Sequence, residues 1–347
     1  ELFSFFFLNL QFVLLFLDKK SKHDTIETYG WSYYFKNFNN SQLLKLDRKF
    51  FEGFDDNKTY YLDTNKLNYA IFEKIKTATV SIRLSDLDYH FWTEYHVTND
   101  ANYFDDAKGE FYISSGQAID HFDCMAKKWI ENHGRSSKWK RVFFPKPKDY
   151  RTEYFVSAVP ERILEHHQQD NSNFRIVTQT VTGAVTNSRT LNAAILPKRF
   201  LTNNSLNNLF IGHSDEELFY YLAILDSFIV DWQVRAKIAT NLNKFILDSI
   251  ILPSFDKVDR EIREKIWRNC IRLSAISEDF DEITQKYFGK KYDEILVCDV
   301  EERQQLKNEI DFLVAKIWKL SKNEVKNILD SFPLIDEAIK KDILNRF

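Results

Sequence analysis

The first seventeen residues are almost uninterruptedly apolar, and this run decides whether the chain is read as a membrane protein. A helix that spans a bilayer needs roughly 20 consecutive apolar residues, and a secretory signal places basic residues before its apolar stretch. The run here is shorter, begins with Glu1 and contains three further polar residues. Residues 12–17 have the length and composition of a buried strand. We therefore expect no membrane contact. Because no initiator methionine precedes the run, we also expect the chain to begin inside a longer polypeptide.

Length and composition place the chain among globular proteins. Its 347 residues are 44% hydrophobic and 16% aromatic, whereas glycine and proline number only 8 and 6. This composition excludes disordered and low-complexity classes and leaves room for two or three domains. The cysteines, Cys124, Cys270 and Cys298, fit neither a disulfide framework nor a zinc pattern, which predicts a reducing compartment.

The order of strand-like and helix-like segments predicts an α+β fold. Residues 25–75 mix short aromatic strands with the helical stretch "LNYAIFEKI", and residues 174–197 alternate Ile, Val and Thr as strands do. Ser214, with Glu217 three residues later, predicts a capping box at the start of a helix that reaches residue 238. Residues 258–288 and 301–331 have the pattern of two long charged helices. We therefore expect an α/β body with mixed or antiparallel strands, followed by a mostly α-helical C-terminal region.

No motif identifies a catalytic or metal site. The phosphate-loop, dinucleotide-binding and nucleophile-elbow patterns do not occur in the sequence, and no Cys/His set has metal-ligand spacing. His166 and His167 are adjacent and so point in different directions on any helix or strand. The tripeptides at 106–108 and 324–326 match the short half of a nuclease pattern, but so short a pattern recurs by chance in a chain that is 29% charged. We assign no catalytic and no metal-binding residue.

The strongest functional signal is a basic segment. Residues 125–151 carry nine Lys or Arg against two acidic residues, a net charge of +7 in a chain whose overall charge is −3. Aromatic residues such as Trp129, Trp139 and Phe143 are interleaved with the cations. Cations bind phosphates, and aromatic rings can stack on bases or brace the strand that carries the cations. The alternative is an ordinary solvated face whose rings point into the core. We favour DNA contact because the charge is so unbalanced.

Six segments resemble, in the same order, segments of one protein family. They are "LFSF…FVLLFLDKK", "EYHVTNDANYF", "FYISSGQAIDHFD", "FRIVTQTVTGAVTNSRTLNAAILP", "YYLAILDSFIVDWQVRAKIATNLNKFILDSIILP" and "LKNEIDFLVAKIWKLSKNEVKNILDSFP". The fourth is similar to the family's "YRLVFRDIA-x-x-TNERT-x-IAAILP", although Gln179 and Ser188 replace an Arg and a Glu. The family is that of the fused type IIG restriction-modification enzymes, in which an adenine-N6 DNA methyltransferase domain precedes a target-recognition domain.

The resemblance implies a domain plan. Residues 1–20 would be the closing strands of an incomplete methyltransferase domain. Residues 21–256 would form an α/β target-recognition domain, with the basic segment in 21–150 and a strand-rich core plus helix in 151–256. Residues 257–347 would form a helical region that braces the recognition domain.

The resemblance also implies cofactors and partners. The family's S-adenosylmethionine loop and its "NPPY" motif do not occur in this sequence. We therefore expect S-adenosylmethionine, and Mg²⁺ for cleavage, to bind the parent enzyme and not this chain. The expected partners are double-stranded DNA and the protein's own N-terminal methyltransferase and nuclease domains, in the cytoplasm of a bacterium.

Motif residues shared by family members that read different sequences cannot themselves select a sequence. We therefore assign them to the scaffold or to phosphate contact: Thr98, Asn99, Asp100, Asn187 and Thr190. For Arg189 we favour a buried position that bridges an aspartate or backbone carbonyls.

Residues that select the target are expected in stretches without family signal, namely 134–151 and 201–214. There Lys and Arg can read guanine, and Asn203, Asn204, Asn207 or Asn208 can read adenine. The complete predicted DNA-binding set is Arg135, Lys138, Lys140, Arg141, Lys146, Lys148, Arg151, Arg175, Arg189, Lys198 and Arg199.

Two other classes of protein remain open. One is the separate, non-enzymatic specificity subunit of a type I restriction-modification system, which pairs two recognition domains through spacer helices. Only one recognition-like unit is evident in this sequence. The other is a protein-interaction module without any DNA role.

Overall fold

The computed structural model describes residues 25–29, 43–47, 66–87, 89–105, 109–169, 174–184, 186–238 and 240–347. The opening apolar run, and with it the strands predicted for residues 1–20, lies outside the described residues. In the described ranges no helix is both long enough and apolar enough to cross a membrane.

The strands are short and occur mainly in the first three quarters of the chain. They are β1 (Thr25–Tyr29), β2 (Leu43–Asp47), β3 (Ser81–Arg83), β4 (Tyr89–Trp92), β5 (Phe111–Ser114), β6 (Lys127–Glu131), β7 (Lys138–Arg141), β8 (Tyr154–Val156), β9 (Phe174–Gln179), β10 (Ala193–Pro197), β11 (Phe200–Thr202), β12 (Leu206–Ile211) and β13 (Ile251–Pro253).

Helices dominate the chain after residue 214. They are α1 (Lys66–Thr77), α2 (Glu161–Gln169), α3 (Asp215–Leu225), α4 (Phe228–Arg235), α5 (Lys244–Asp248), α6 (Arg260–Ser274), α7 (Asp281–Phe288), α8 (Tyr292–Ile295), α9 (Val300–Ile317), α10 (Lys322–Asp330) and α11 (Glu337–Asn345).

Two sheets form the centre of the part of the chain before residue 257, which we call the sheet body. One is a four-stranded antiparallel sheet in the order β10-β9-β12-β4, and its strands β9 and β10 are buried along nearly their whole length. The other has the order β11-β5-β8, in which β11 and β5 are parallel and β5 and β8 antiparallel. The predicted α+β fold with mixed and antiparallel strands and a helical C-terminal region is confirmed.

One apolar cluster connects the sheets to the C-terminal helices. It includes Leu222 from α3, Ile271 from α6 and Val314 from α9, each less than 1% exposed. Burial of such side chains contributes roughly 1.5–3 kcal/mol each. The sheet body and the C-terminal helices therefore share a core, whereas the domain boundary at residue 257 stays a prediction.

The helix predicted from Ser214 to residue 238 is in fact two helices. Its start is confirmed, because the Ser214 side chain accepts a hydrogen bond from the Glu217 amide. The helix ends at Asp226, and Ser227 caps the next one. The Asp226 carboxylate accepts hydrogen bonds from the amides of Ala193, at 2.9 Å, and Phe122, at 3.0 Å. These partners lie far away in the sequence, so local periodicity gives no sign of the break.

The two long C-terminal helices are also interrupted. The segment 258–288 divides into α6 and α7 with a 3₁₀ turn at Glu278–Phe280 between them. The segment 301–331 divides into α9 and α10 where Lys319 adopts a positive φ of 52°. Ser321 then starts α10 with a capping box that includes Glu324. In both cases the charged pattern continues across the break, which is why the sequence predicts one helix.

Candidate nucleic-acid interface

The basic segment folds into an antiparallel hairpin of β6 and β7, a two-stranded sheet of its own. Lys127 lies opposite Arg141 and Lys128 opposite Lys140. Directly opposite residues share a face and neighbours along a strand alternate, so cations occupy both faces of the ribbon. A two-stranded ribbon is also one of the elements that the major groove of B-DNA admits.

The base of the hairpin is fixed to the sheet body. The Val142 amide donates to the carbonyl of Ala126 at 2.9 Å, and the Trp129 amide donates to the carbonyl of Arg151 at the same distance. Tyr150, which is 6% exposed, donates its hydroxyl hydrogen bond to the carbonyl of Lys127 at 3.2 Å. The ribbon therefore leaves the body in a defined direction.

Five cations on and beside the hairpin are exposed and form no ion pair with any other described residue. They are Lys127, Arg135, Lys140, Lys148 and Arg151. Exposed, uncompensated cations around one ribbon provide the electrostatic footprint that phosphate groups require.

Three further cations form exposed ion pairs. Lys128 contacts Asp149 at 2.8 Å and holds the pKa of that carboxyl below its usual value. Lys138 contacts Glu131 at 2.5 Å, and Arg141 lies 3.6 Å from Asp120. Exposed pairs of this kind contribute little to stability, so these cations remain available to a stronger anionic partner.

Lys146 does not belong to the interface. Its side chain is 3% exposed, contacts Asp123 at 2.6 Å and lies 4.0 Å from the centroid of the Phe144 ring. Burial lowers its pKa. Because a buried, paired ammonium group cannot reach a duplex, we remove Lys146 from the predicted set.

The interleaved aromatic residues mostly brace the hairpin. Trp129 and Trp139 face each other across the two strands and are half-buried. The Trp129 ring stacks on His133 with centroids 5.3 Å apart, and His133 stacks on Tyr154 at 5.1 Å. Phe143 differs, since it is 72% exposed and leaves its ring free for a partner.

Arg175 also leaves the predicted DNA-binding set, because it lies in the core of the four-stranded sheet. It is 2% exposed, and its guanidinium donates to Asn208 at 2.9 Å and pairs with the carboxylate of Glu94 at 3.0 Å. The Asn208 amide nitrogen donates in turn to the Thr202 hydroxyl at 2.6 Å. The cluster satisfies its own charges and hydrogen bonds, so Arg175 and Asn208 hold strands together and do not face DNA.

The other asparagines predicted to read adenine also differ in whether they are buried or exposed. Asn207 is buried and donates to the carbonyl of Leu242 at 2.9 Å. Asn203 is buried and accepts from the Ser205 amide at 3.0 Å. Of the four asparagines only Asn204 is exposed, and its side-chain oxygen accepts from the Val97 amide at 3.1 Å.

The motif around Asp100 forms a capped turn. The Asp100 carboxylate accepts from the His96 amide at 2.7 Å and pairs with Arg162 at 3.1 Å. Thr98 and Asn99 are exposed on the same turn. Asp100 thus has a scaffold position, while its two neighbours are open to a partner.

Arg189 has the bridging position that we favour for it from the sequence. Its Nε donates to Asp231 at 2.6 Å, its Nη2 donates to the carbonyl of Asp226 at 2.5 Å, and its guanidinium lies 4.0 Å from the Phe228 ring centroid. Asp231 also accepts from the Thr190 amide. Arg189 therefore joins the loop before β10 to α4. Because its side chain is only 12% exposed, Arg189 leaves the predicted DNA-binding set.

Asn187 and Thr190 complete this loop. The Asn187 amide nitrogen donates to the Thr182 hydroxyl at 3.1 Å, and the Thr182 hydroxyl donates to the carbonyl of Thr190 at 2.7 Å. Both motif residues therefore stabilise the loop from within. The remaining predicted cations lie between β10 and β11, where Lys198 is exposed and Arg199 pairs with Asp279 at 2.8 Å.

Lys127, Lys128 and Glu153 lie at the hairpin but are absent from the predicted DNA-binding set. Lys127 is exposed and unpaired among the described residues, and strand alternation within the basic segment is the signal that could have identified it. Glu153 is 8% exposed and contacts the hairpin tip, but no local pattern marks it. Within the described ranges no group of three or more His, Cys, Asp or Glu side chains could hold a metal ion.

Neither a protein-family model nor a curated protein sequence matches the chain. Among solved structures, the chain is similar to the type IIG restriction endonuclease BpuSI, with a TM-score of 0.38 and 11% sequence identity over 82% of this chain and 38% of that chain. It is also similar to the type IIL restriction-modification enzyme MmeI in complex with DNA, with a TM-score of 0.35 and 9% identity over 70% of this chain and 35% of that chain. The chain thus spans less than two fifths of either protein. Similarity at this level carries no functional conclusion, which must rest on the chain's own residues.

Proposed function

We propose that this chain is the sequence-specific DNA-recognition part of a restriction-modification enzyme. The observation that carries the proposal is the β6–β7 hairpin with its exposed, unpaired cations: Lys127, Arg135, Lys140, Lys148 and Arg151. In an otherwise acidic chain, a ribbon that carries more cations than its own ion pairs neutralise is suited to the phosphates of a duplex.

The rest of the proposal follows from the sequence resemblance. The parent enzyme would methylate adenine N6 with S-adenosylmethionine and cleave DNA with Mg²⁺ in the bacterial cytoplasm. This chain would supply affinity for DNA and the choice of target sequence, and its C-terminal helices would brace the sheet body. The coding sequence upstream of Glu1 tests this part, since we expect it to contain the "NPPY" motif. An upstream sequence without that motif would favour a separate specificity subunit.

Salt-dependent DNA binding tests the hairpin directly. The triple variant K127A/K140A/K148A removes three exposed lysines that form no ion pair with other described residues. Each phosphate contact changes the slope of log K against log salt by about 0.9. We therefore expect the slope to become shallower by up to about 2.7, with a loss of affinity for every duplex.

A matched control removes equally exposed lysines elsewhere. Lys290, Lys322 and Lys341 lie on or beside C-terminal helices and form no ion pair with other described residues. The variant K290A/K322A/K341A changes net charge by the same amount as the hairpin variant. An unchanged slope in the hairpin variant, or equal changes in both variants, would contradict a hairpin interface.

A further inference from the structure

The hairpin tip, residues 132–137, is exposed but conformationally fixed. Residues 130–136 are all exposed. Even so, Trp129 donates its indole hydrogen bond to the carbonyl of Asn132 at 2.6 Å, and the Ser136 hydroxyl donates to the carbonyl of His133 at 2.9 Å. An exposed loop of this length usually lacks such constraints. The tip is therefore held in one shape while its side chains face solvent.

Glu153, which lies in the sheet body outside the hairpin, restrains the conformation of the tip. Its carboxylate, which is 8% exposed, accepts from the Gly134 amide at 2.5 Å and lies 3.8 Å from His133 Nδ1. Gly134 has a φ of +63°, in the left-handed region that glycine adopts without strain. The position next to Arg135 is thus set by a buried carboxylate and a turn that needs glycine.

Arg135 is the cation that this fixed tip presents. It is exposed and contacts no other charged side chain among the described residues. The ordering of the tip therefore serves no interaction of Arg135 within the described part of the chain. Lys140 and Lys148, by contrast, lie on a strand and in a following loop, where a point charge suffices to bind phosphate.

An arginine that reads a base needs a fixed position, and the hairpin tip provides one for Arg135. A guanidinium can donate two parallel hydrogen bonds to O6 and N7 of guanine in the major groove. This geometry is selective only when the side chain is held close to its productive position by its surroundings. Phosphate contact has no such requirement.

We propose that Arg135 reads a guanine from the major groove, and that Glu153 is the positioning residue that holds the tip for it. This inference rests on the proposed function, because it presupposes DNA binding by the hairpin.

Selection of binding sites from a pool of randomised duplexes tests the inference with the full chain. We expect the wild-type chain to enrich a motif with a G·C pair at a position where R135A loses selectivity by about 10- to 100-fold. E153A should lose selectivity at the same position, and E153Q should restore much of it, because the amide oxygen can still accept from Gly134. K148A is the control, expected to weaken binding to all duplexes while leaving the motif unchanged.

The outcomes separate the two proposals. If the wild-type chain shows no salt-dependent binding, both the proposed function and this inference are overturned. If it binds with salt dependence but no motif emerges, the binding is not sequence-specific, and both the proposed function and the inference are overturned. If a motif emerges but R135A enriches the same motif as the wild-type chain, the tip does not read bases and only the inference is overturned. Loss at a different position in E153A than in R135A would also overturn the positioning role.

Discussion

At the scale of single residues, arginines that the sequence places in one predicted DNA-binding set have opposite structural roles. Arg135 and Arg151 are exposed, whereas Arg175 and Arg189 neutralise buried carboxylates. Composition places all four in one class, because it counts charge and not burial. Only the partners in space decide which arginine can meet a phosphate.

The Arg175 and Glu94 pair gives a stability prediction. R175M would break the buried ion pair between Arg175 and Glu94, and removing one partner of such a pair costs about 3–5 kcal/mol in comparable cases. We expect urea unfolding to report a loss of that order, with the salt slope of DNA binding unchanged. The matched variant R151M should leave the unfolding free energy nearly unchanged and make the salt slope shallower. The reverse pattern would mean that Arg175, and not Arg151, faces DNA.

At the scale of elements, the predictions that succeed depend on neighbours in sequence. The N-cap bond of Ser214 to the Glu217 amide lies within four residues, and the strand alternation that predicts β9 and β10 lies within six. The break at Asp226 depends instead on the amides of Ala193 and Phe122. The burial of Lys146 likewise depends on Asp123. Local physics thus predicts the elements and the hairpin's charge, while contacts between distant residues decide where helices end and which cations are exposed.

The N-cap of α3 at Ser214 gives a stability prediction at the scale of a single element. The Ser214 hydroxyl accepts from the Glu217 amide at 3.2 Å, and the Glu217 carboxylate accepts from the amide of the preceding residue, His213, at 2.9 Å. Loss of an N-cap hydroxyl typically costs about 1 kcal/mol. We expect S214A to lower the unfolding free energy by that amount in urea titrations. Ser188 is exposed and forms no side-chain hydrogen bond with other described residues, so S188A is the control, and equal effects would rule out a capping contribution.

At the scale of the whole molecule, a buried polar cluster joins the C-terminal helices to the sheet body. A cavity of about 140 Å³ lies between them, and its polar lining includes His121, Arg189, Asp226, Lys307 and Asp311. Asp311, on α9, accepts from the Phe228 amide at the start of α4 at 2.7 Å. Burial raises the pKa of Asp226 well above its ordinary value and lowers that of Lys307. The contact between the two parts of the chain is therefore sensitive to protonation.

The pKa of Asp311 determines whether stability rises or falls with pH. Burial raises its pKa from 3.8 to about 6, against the opposing effects of Arg189, Lys307 and the hydrogen bond from Phe228. Between these pH values the folded state holds a proton that the unfolded state has lost, so stability decreases as pH rises from about 4 to about 6. A shift of about two pKa units corresponds to roughly 3 kcal/mol.

The variant D311N removes this titration and keeps an oxygen that can accept from Phe228. The unfolding free energy of the wild-type chain minus that of D311N should therefore fall by roughly 3 kcal/mol between pH 4 and pH 6.5, and then remain constant. Urea unfolding at a series of pH values measures this difference. D293N, at an exposed aspartate, is the control and should give a nearly flat difference. A flat difference for D311N as well would mean that the Asp311 carboxyl is hydrated in the folded protein, and that α9 and α4 are held together without a buried proton.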